Sequence, residues 1–199
     1  MSLGPRFTEA LVLAASIHRN QVRKGPKPIP YIGHLLSVAG IVIDFGGTED
    51  EAIAALLHDA VEDQGGQSTR DTIRRLFGDE VVNTVDACSD TDEEAKPSWR
   101  LRKTRYIAHL RTATPSAALV SAADKLANSR SILTDLREIG DETWARFSCT
   151  KQESLWYYRA IVDALRETLI NPSLLNELDL VVAEIEHLTR QPLAVAGEN

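Results

Sequence analysis

The chain is poor in cysteine, with Cys88 and Cys149 alone among its 199 residues. Two cysteines far apart and without a CxxC spacing build no disulfide framework, which points to a reducing compartment. Met1-Ser2-Leu3-Gly4-Pro5-Arg6 lacks the apolar run of a signal peptide. No uninterrupted apolar stretch approaches the roughly 18 residues of a membrane span, so the expectation is a cytoplasmic protein without a membrane partner. Positive charge is short too. There are 22 Lys and Arg against 29 Asp and Glu, a formal net charge of −7. Nucleic-acid modules present a basic face, and this balance argues against DNA or RNA as partners. A phosphorylated small molecule stays open, because a few cations converging locally suffice to bind one.

Strand signals are missing as well: there is no hairpin turn, no repeat and no linker. The expectation is one all-α domain over residues 1–199, a helical bundle. A first helix is read at 7–24 from Leu11, Ala15, His18 and Val22, followed by the proline-rich loop Gly25 to Pro30. A second spans 33–45 and stops at Gly46-Gly47. Thr48-Glu49-Asp50-Glu51 is a capping box that opens a third, running to Glu62 or Asp63. Helices at 69–77, 79–88 and 98–111 follow, with a polar loop at 89–96. Thr114-Pro115 opens a long helix to about 136. Another covers 142–169, and Asn171-Pro172 opens the last, 172–188. There Leu174, Leu178, Val181 or Val182, Ile185 and Leu188 form a stripe that either caps the bundle or makes a homodimer interface; core packing is the expectation.

Against this aliphatic background stands Ile53-Ala54-Ala55-Leu56-Leu57-His58-Asp59-Ala60-Val61-Glu62-Asp63. Ionisable groups at the end of a core-like helix are costly to desolvate unless something pairs with them. On one helix His58 and Glu62, like Asp59 and Asp63, are four apart and project together. His58 and Asp59 diverge by about 100°, so a shared ion would sit at the side of the helix between them. Asp124 lies in the apolar run Leu119 to Leu126, with Asn128 one turn below on the same face. Together with His34, from a separate helix, these make a two-His, two-Asp set suited to manganese, iron or zinc.

The segments His18-Arg19-Asn20-Gln21-Val22-Arg23-Lys24-Gly25, Tyr31-Ile32-Gly33-His34, Leu56-Leu57-His58-Asp59-Ala60-Val61-Glu62-Asp63 and Asp124-Lys125-Leu126-Ala127-Asn128 resemble the HD-domain superfamily. Within it they are most similar to the hydrolase domain of the RelA/SpoT family, in its free-standing small alarmone hydrolases of the metazoan SpoT-homologue type. The likeness reaches from residue 7 to about 165. It implies one manganese ion held by His34, His58, Asp59 and Asp124, and hydrolysis of the 3′-pyrophosphate of guanosine tetra- or pentaphosphate. It implies that Glu62 and Asp63 position and activate water, that Arg23 and Lys24 contact substrate, and that Asn128 lies near the nucleoside. Leu35 stands where the family usually has proline, which bears on how the helix begins more than on ligation. No synthetase-like segment follows within these residues, so the implied activity is hydrolysis alone.

From Lys96 to Ala123 there is no acid, yet Lys96, Arg100, Arg102, Lys103, Arg105 and Arg111 fall there. Such an excess can face a polyphosphate or simply be solvated. Lys103 is the preferred contact, because the resembling hydrolases use a lysine on the equivalent helix. Trp144, Lys151 and Tyr158 lie where the family closes over its nucleotide, and Lys151 is taken as a further contact. Trp156 reads as helix packing, His18 as a core or supporting residue, and His109 and His187 as surface. Two other functions compete: the same site acting on an adenosine alarmone or as an NADPH phosphatase, and a non-catalytic HD module that only binds nucleotide.

Overall fold

The computed structural model describes residues 2–25, 27–89 and 97–190. Helices α1 (Pro5–Ile17), α2 (Ile32–Asp44), α3 (Glu49–Leu57), α4 (Ala60–Asp63) and α5 (Gly66–Phe77) form the first half. Helices α6 (Asp79–Cys88), α7 (Trp99–Leu110), α8 (Pro115–Ile139), α9 (Lys151–Leu165) and α10 (Pro172–Arg190) form the second, with a 3-10 segment at Gly140–Arg146. Among the described residues there is no β-strand, only an isolated bridge between Val22 and Pro30. The all-α expectation is met.

The bundle is organised around α3. Every residue from Ala52 to Leu57 is fully buried, and a helix apolar on all sides must be enclosed by others. Helices α1, α2, α6 and α8 enclose it. Its start is set by the capping box: Thr48 N–H donates to Glu51 Oε2 at 2.7 Å, and Glu51 N–H to Thr48 Oγ1 at 3.3 Å. The preceding turn needs its two glycines. Gly46 has φ +83°, and a Cβ on Gly47 would stand 2.5 Å from Val42 Cγ1. Thr114 caps α8, which carries Pro115 in its first turn.

Three of the differences from the sequence reading bear on the site. Helix α1 ends at Ile17, not at 24. Residues 21–23 instead pair with 29–31, with Arg23 N–H to Ile29 O and Tyr31 N–H to Gln21 O, both 2.9 Å. Pro28 and Pro30 favour an extended return segment, and pairing with it takes Val22 out of the helix and leaves it exposed. The helix opened at Thr48 breaks at His58-Asp59, where Asp59 relaxes to φ −97° and ψ −2°, before α4 begins. The helix expected at 142–169 is a 3-10 segment and then α9. A second capping box, Thr150 with Glu153, starts a new helix there. Most of the polar loop at 89–96, including Lys96, and the tail 191–199 lie outside the described residues.

The last helix spends its stripe on the bundle. Leu174, Leu178, Val182 and Ile185 are buried, and α10 packs on α8 and α9. Trp144 joins Ile132, Leu133, Leu136 and Ile185 in a small second cluster and so serves as core.

Candidate active site

The break between α3 and α4 does chemical work. His58 and Asp59 do not diverge as neighbours on a continuous helix would: His58 Nε2 lies 3.0 Å from Asp59 Oδ2. His34, near the start of α2, enters from the side, its ring 5.3 Å from that of His58. Ligand atoms of His34, His58 and Asp59 all fall within 4.8 Å of one another. Asp124, on α8, stands at the edge of this trio. Its Oδ1 is 3.2 Å from His34 Nε2 and 3.6 Å from His58 Nε2. It is also engaged elsewhere, by Lys125 Nζ on Oδ2 and Asn128 Nδ2 on Oδ1, each at 2.5 Å.

This cluster fits a divalent cation. The Nδ1–H of His58 donates to Ala55 O at 2.8 Å, which leaves the lone pair of a neutral ring on Nε2. That Nε2 is buried and, despite its closeness to Asp59, makes no well-formed hydrogen bond. Two imidazole nitrogens and a carboxylate oxygen within 4.8 Å of one another, with a second carboxylate at their edge, have the chemistry of a metal donor set. Among the described residues this is the group of His and acids close enough to hold an ion.

Without a cation the charges compensate one another. Burial lowers His34 and keeps it neutral. Burial alone would lower His58 too, but the carboxylates of Asp59 and Asp124 outweigh it and raise His58 well above its ordinary value. Burial opposes ionisation of Asp59 and Asp124, yet His58 holds Asp59, and Lys125 with both imidazoles holds Asp124, below the usual carboxylate range. The Lys125 ammonium is raised in turn by Asp124, against its own burial. It lies 5.2 Å from the Tyr106 ring and 5.9 Å from that of Tyr157.

The cluster opens into a cavity of about 480 Å³. Asp59, Glu62, Asp63 and Asp124 supply acids to its lining, and Arg23, Lys24, Arg102, Lys103, Lys125 and Arg146 supply cations. The acids belong to the His/Asp cluster and the short helix beside it, and the rest of the lining carries the six cations together with aromatic rings such as Trp99, Tyr106 and Tyr157. Asp63 is raised, by burial and by the charges of Asp59 and Glu62, with the Gln21 amide opposing. Arg23 reaches Asn128 Oδ1 at 2.9 Å, which ties the 18–31 loop to α8.

Of the residues picked from the sequence, His34, His58, Asp59 and Asp124 meet, and Glu62, Asp63, Arg23, Lys24, Lys103 and Asn128 line the cavity. Lys151 does not: its ammonium turns to Asp141, 2.8 Å away, because the new start of α9 faces the 3-10 segment. Among the described residues of the basic stretch, Arg102 and Lys103 reach the cavity. Arg100 covers the Trp156 ring at 3.2 Å and Arg111 pairs with Glu167 at 2.8 Å. His109 and His187 are exposed and His18 is buried, as read. Tyr158 lines the cavity and Trp156 packs, again as read.

Several residues at the site were given no role from sequence. Tyr31 donates to Asp59 Oδ2 at 2.5 Å, and Lys125 neutralises Asp124. Both stand inside quoted motifs, next to ligands, which was the available signal. Tyr106, Tyr157 and Arg146 carried none, since only tertiary packing brings them to the cavity.

The HD-domain family profile matches residues 10–149. The chain is 38% identical over 173 residues to the guanosine-3′,5′-bis(diphosphate) 3′-pyrophosphohydrolase MESH1 of Xenopus tropicalis, covering 86% of this chain and 89% of that one. The human MESH1 is 36% identical over 165 residues, covering 82% and 86%. The fold matches a solved metazoan orthologue of SpoT, described as hydrolysing ppGpp, with TM-score 0.76 and 28% identity over 92% of this chain and 97% of that one. A Listeria monocytogenes structure matches with TM-score 0.66 and 32% identity, covering 79% and 99%. With the tetrad converged at the head of a cation-walled cavity, the chain belongs to the HD-domain family, on its MESH1-like branch.

Proposed function

We propose that this protein is a metal-dependent phosphohydrolase that removes the 3′-pyrophosphate of guanosine tetra- or pentaphosphate, giving GDP or GTP and pyrophosphate. The carrying observation is one cavity that joins the His34–His58–Asp59 trio to a cationic wall. The Xenopus and human MESH1 relatives, which this chain covers over most of their length, are named for this reaction.

His34, His58, Asp59 and Asp124 would hold the cation; manganese suits two nitrogen and two oxygen donors with positions left open. When bound, it supplies charge that lowers the pKa of a coordinated water and offsets a phosphate oxygen. Displacing Asp124 Oδ1 from Asn128, with Lys125 kept on Oδ2, would free it for that role. Glu62 and Asp63 take the proton of the attacking water. A carboxylate raised from its ordinary value, as Asp63 is by burial and by the charges of Asp59 and Glu62, is the stronger proton acceptor. Water attacks the phosphorus joined to O3′, the P–O3′ bond breaks with pyrophosphate leaving on the water oxygen, and O3′ takes up a proton from solvent. Arg23, Lys24, Arg102 and Lys103 balance the polyphosphate, and the tyrosine faces of the wall border the nucleoside.

The test is product analysis with purified protein, ppGpp and Mn²⁺, run beside ppApp and NADPH. The expected result is GDP and pyrophosphate from ppGpp, abolished by chelator and by the double change Glu62→Gln, Asp63→Asn. Turnover of NADPH or ppApp alone would move the substrate assignment, and silence on all three would overturn the hydrolase reading.

A further inference from the structure

The loop at 18–31 carries a side-chain arrangement that its backbone pairing does not require. Gln21 sits between His18, Gln64 and Asp63. Its Oε1 lies 2.6 Å from His18 Nδ1 and accepts from Gln64 Nε2 at 2.7 Å. Its Nε2 donates to Asp63 Oδ2 at 2.7 Å. An amide oxygen only accepts and an amide nitrogen only donates. With two donors on one side and a carboxylate on the other, the amide has a single satisfied orientation. Flipping it would set oxygen against carboxylate and N–H against N–H.

The donors are themselves held. His18 is buried and stacked on Tyr31, with ring centroids 5.4 Å apart and planes 24° apart. Tyr31 is fixed at both ends, its N–H on Gln21 O and its hydroxyl on Asp59 Oδ2. One loop therefore grips the metal cluster through Tyr31 and the acid of the next turn through Gln21.

We propose that Gln21 is a positioning residue for the hydrolysis, its amide locked by His18 and Gln64 so that it orients the Asp63 carboxylate toward the attacking water. This rests on the role given to Asp63 above. Burial and the charges of Asp59 and Glu62 push Asp63 toward protonation, while Gln21 and His18, from the loop, favour the carboxylate. Tyr31 faces the same charges, and Arg23 and Lys24 line the cavity around them.

The test compares Gln21→Leu, which removes the donor, with Gln21→Glu, which keeps the shape and sets a carboxylate against Asp63. In Gln21→Leu, kcat on ppGpp falls about tenfold with KM within about twofold, and the acidic limb of the pH profile moves up. Gln21→Glu falls further, about 100-fold, with a larger upward move. A substrate-free readout accompanies these: the ¹³C carboxyl titration of Asp63 in Zn²⁺-loaded protein, whose midpoint rises in both variants while Zn²⁺ affinity stays within about threefold. A stationary midpoint in folded variants, a moved midpoint with unchanged kcat, or Zn²⁺ affinity falling in step with kcat overturns the proposal. A wild type inactive on ppGpp would sink the substrate assignment alone, since the carboxyl titration still decides what Gln21 does to Asp63.

Discussion

The two ends of the cavity are built differently. The His/Asp end hangs on α2, α3 and α8, where His34 and His58 are almost wholly enclosed and Ala52–Leu57 are fully buried. The cationic end hangs on the 18–31 loop, on α7 and on the chain around the 3-10 segment, where Lys24 is exposed and Arg23, Lys103 and Arg146 are half-buried. At the first end, each ligand position is dictated by packing that permits little else. At the second, cations on exposed segments can point to the cavity, to an aromatic ring or to a neighbouring acid, and similar residues do all three. Lys103 faces the cavity with Nζ 5.0 Å from the Tyr157 ring, Arg100 covers Trp156, and Lys151 goes to Asp141.

This contrast breaks most visibly if the enclosed end is altered. Asp59→Ala should remove activity by at least about 1,000-fold and weaken Mn²⁺ binding by more than the roughly 10- to 100-fold typical of supporting partners. Calorimetry and turnover check it together. Retained Mn²⁺ affinity would mean that the trio is not the metal site. Lys125→Met should weaken Mn²⁺ binding by about 10- to 100-fold, because the buried Asp124 loses the ammonium that orients it. An unchanged affinity would show that Asp124 needs no such support.

The pH dependence sharpens the same end. Metal ligation requires a neutral imidazole, and His58 is raised above its ordinary value in the metal-free protein, whereas His34 is lowered. Binding should then expel one proton, from His58. Below the raised value, Mn²⁺ affinity should climb about tenfold per pH unit and level off above it. Calorimetry in buffers of different ionisation enthalpy counts the protons; zero or two would contradict the charge pattern described.

The smallest effects separate the cations of the open end. Lys103→Ala should raise KM for ppGpp about tenfold with little change in kcat, as expected when a substrate phosphate is deprived of one ammonium partner. Lys151→Ala should stay within about twofold of wild type, since it removes an exposed ion pair with Asp141. A reversal of the two would show that the wall rearranges around substrate.

Legibility followed enclosure. The convergence of the tetrad could be anticipated because His58, Asp59 and Asp124 interrupt aliphatic runs, and an interruption of that kind demands a partner. The capping box at Thr48 was readable for a similar reason, its two hydrogen bonds being local in sequence. The same local signal stands at Thr150, where it divides the helix expected over 142–169; the family likeness puts Lys151 at the nucleotide, and its ammonium instead pairs with Asp141. The end of α1 was not readable from its stripe: Val22 fits the helical spacing, but the extended partner that captures it lies eight residues on, at Pro30.

The sequence by itself determined an all-helical chain, the order of its motifs and the set of groups able to hold a cation, because helical period, capping and the cost of burying charge are local properties. Tertiary structure alone decided that the helix breaks between His58 and the short turn of Glu62 and Asp63, so that neighbouring side chains converge. It also decided that Tyr31, Lys125 and Gln21 donate to Asp59, Asp124 and Asp63, and which cations turn inward. Those outcomes depend on distances between segments up to about a hundred residues apart, such as Arg23 to Asn128, and only the packed bundle sets such distances.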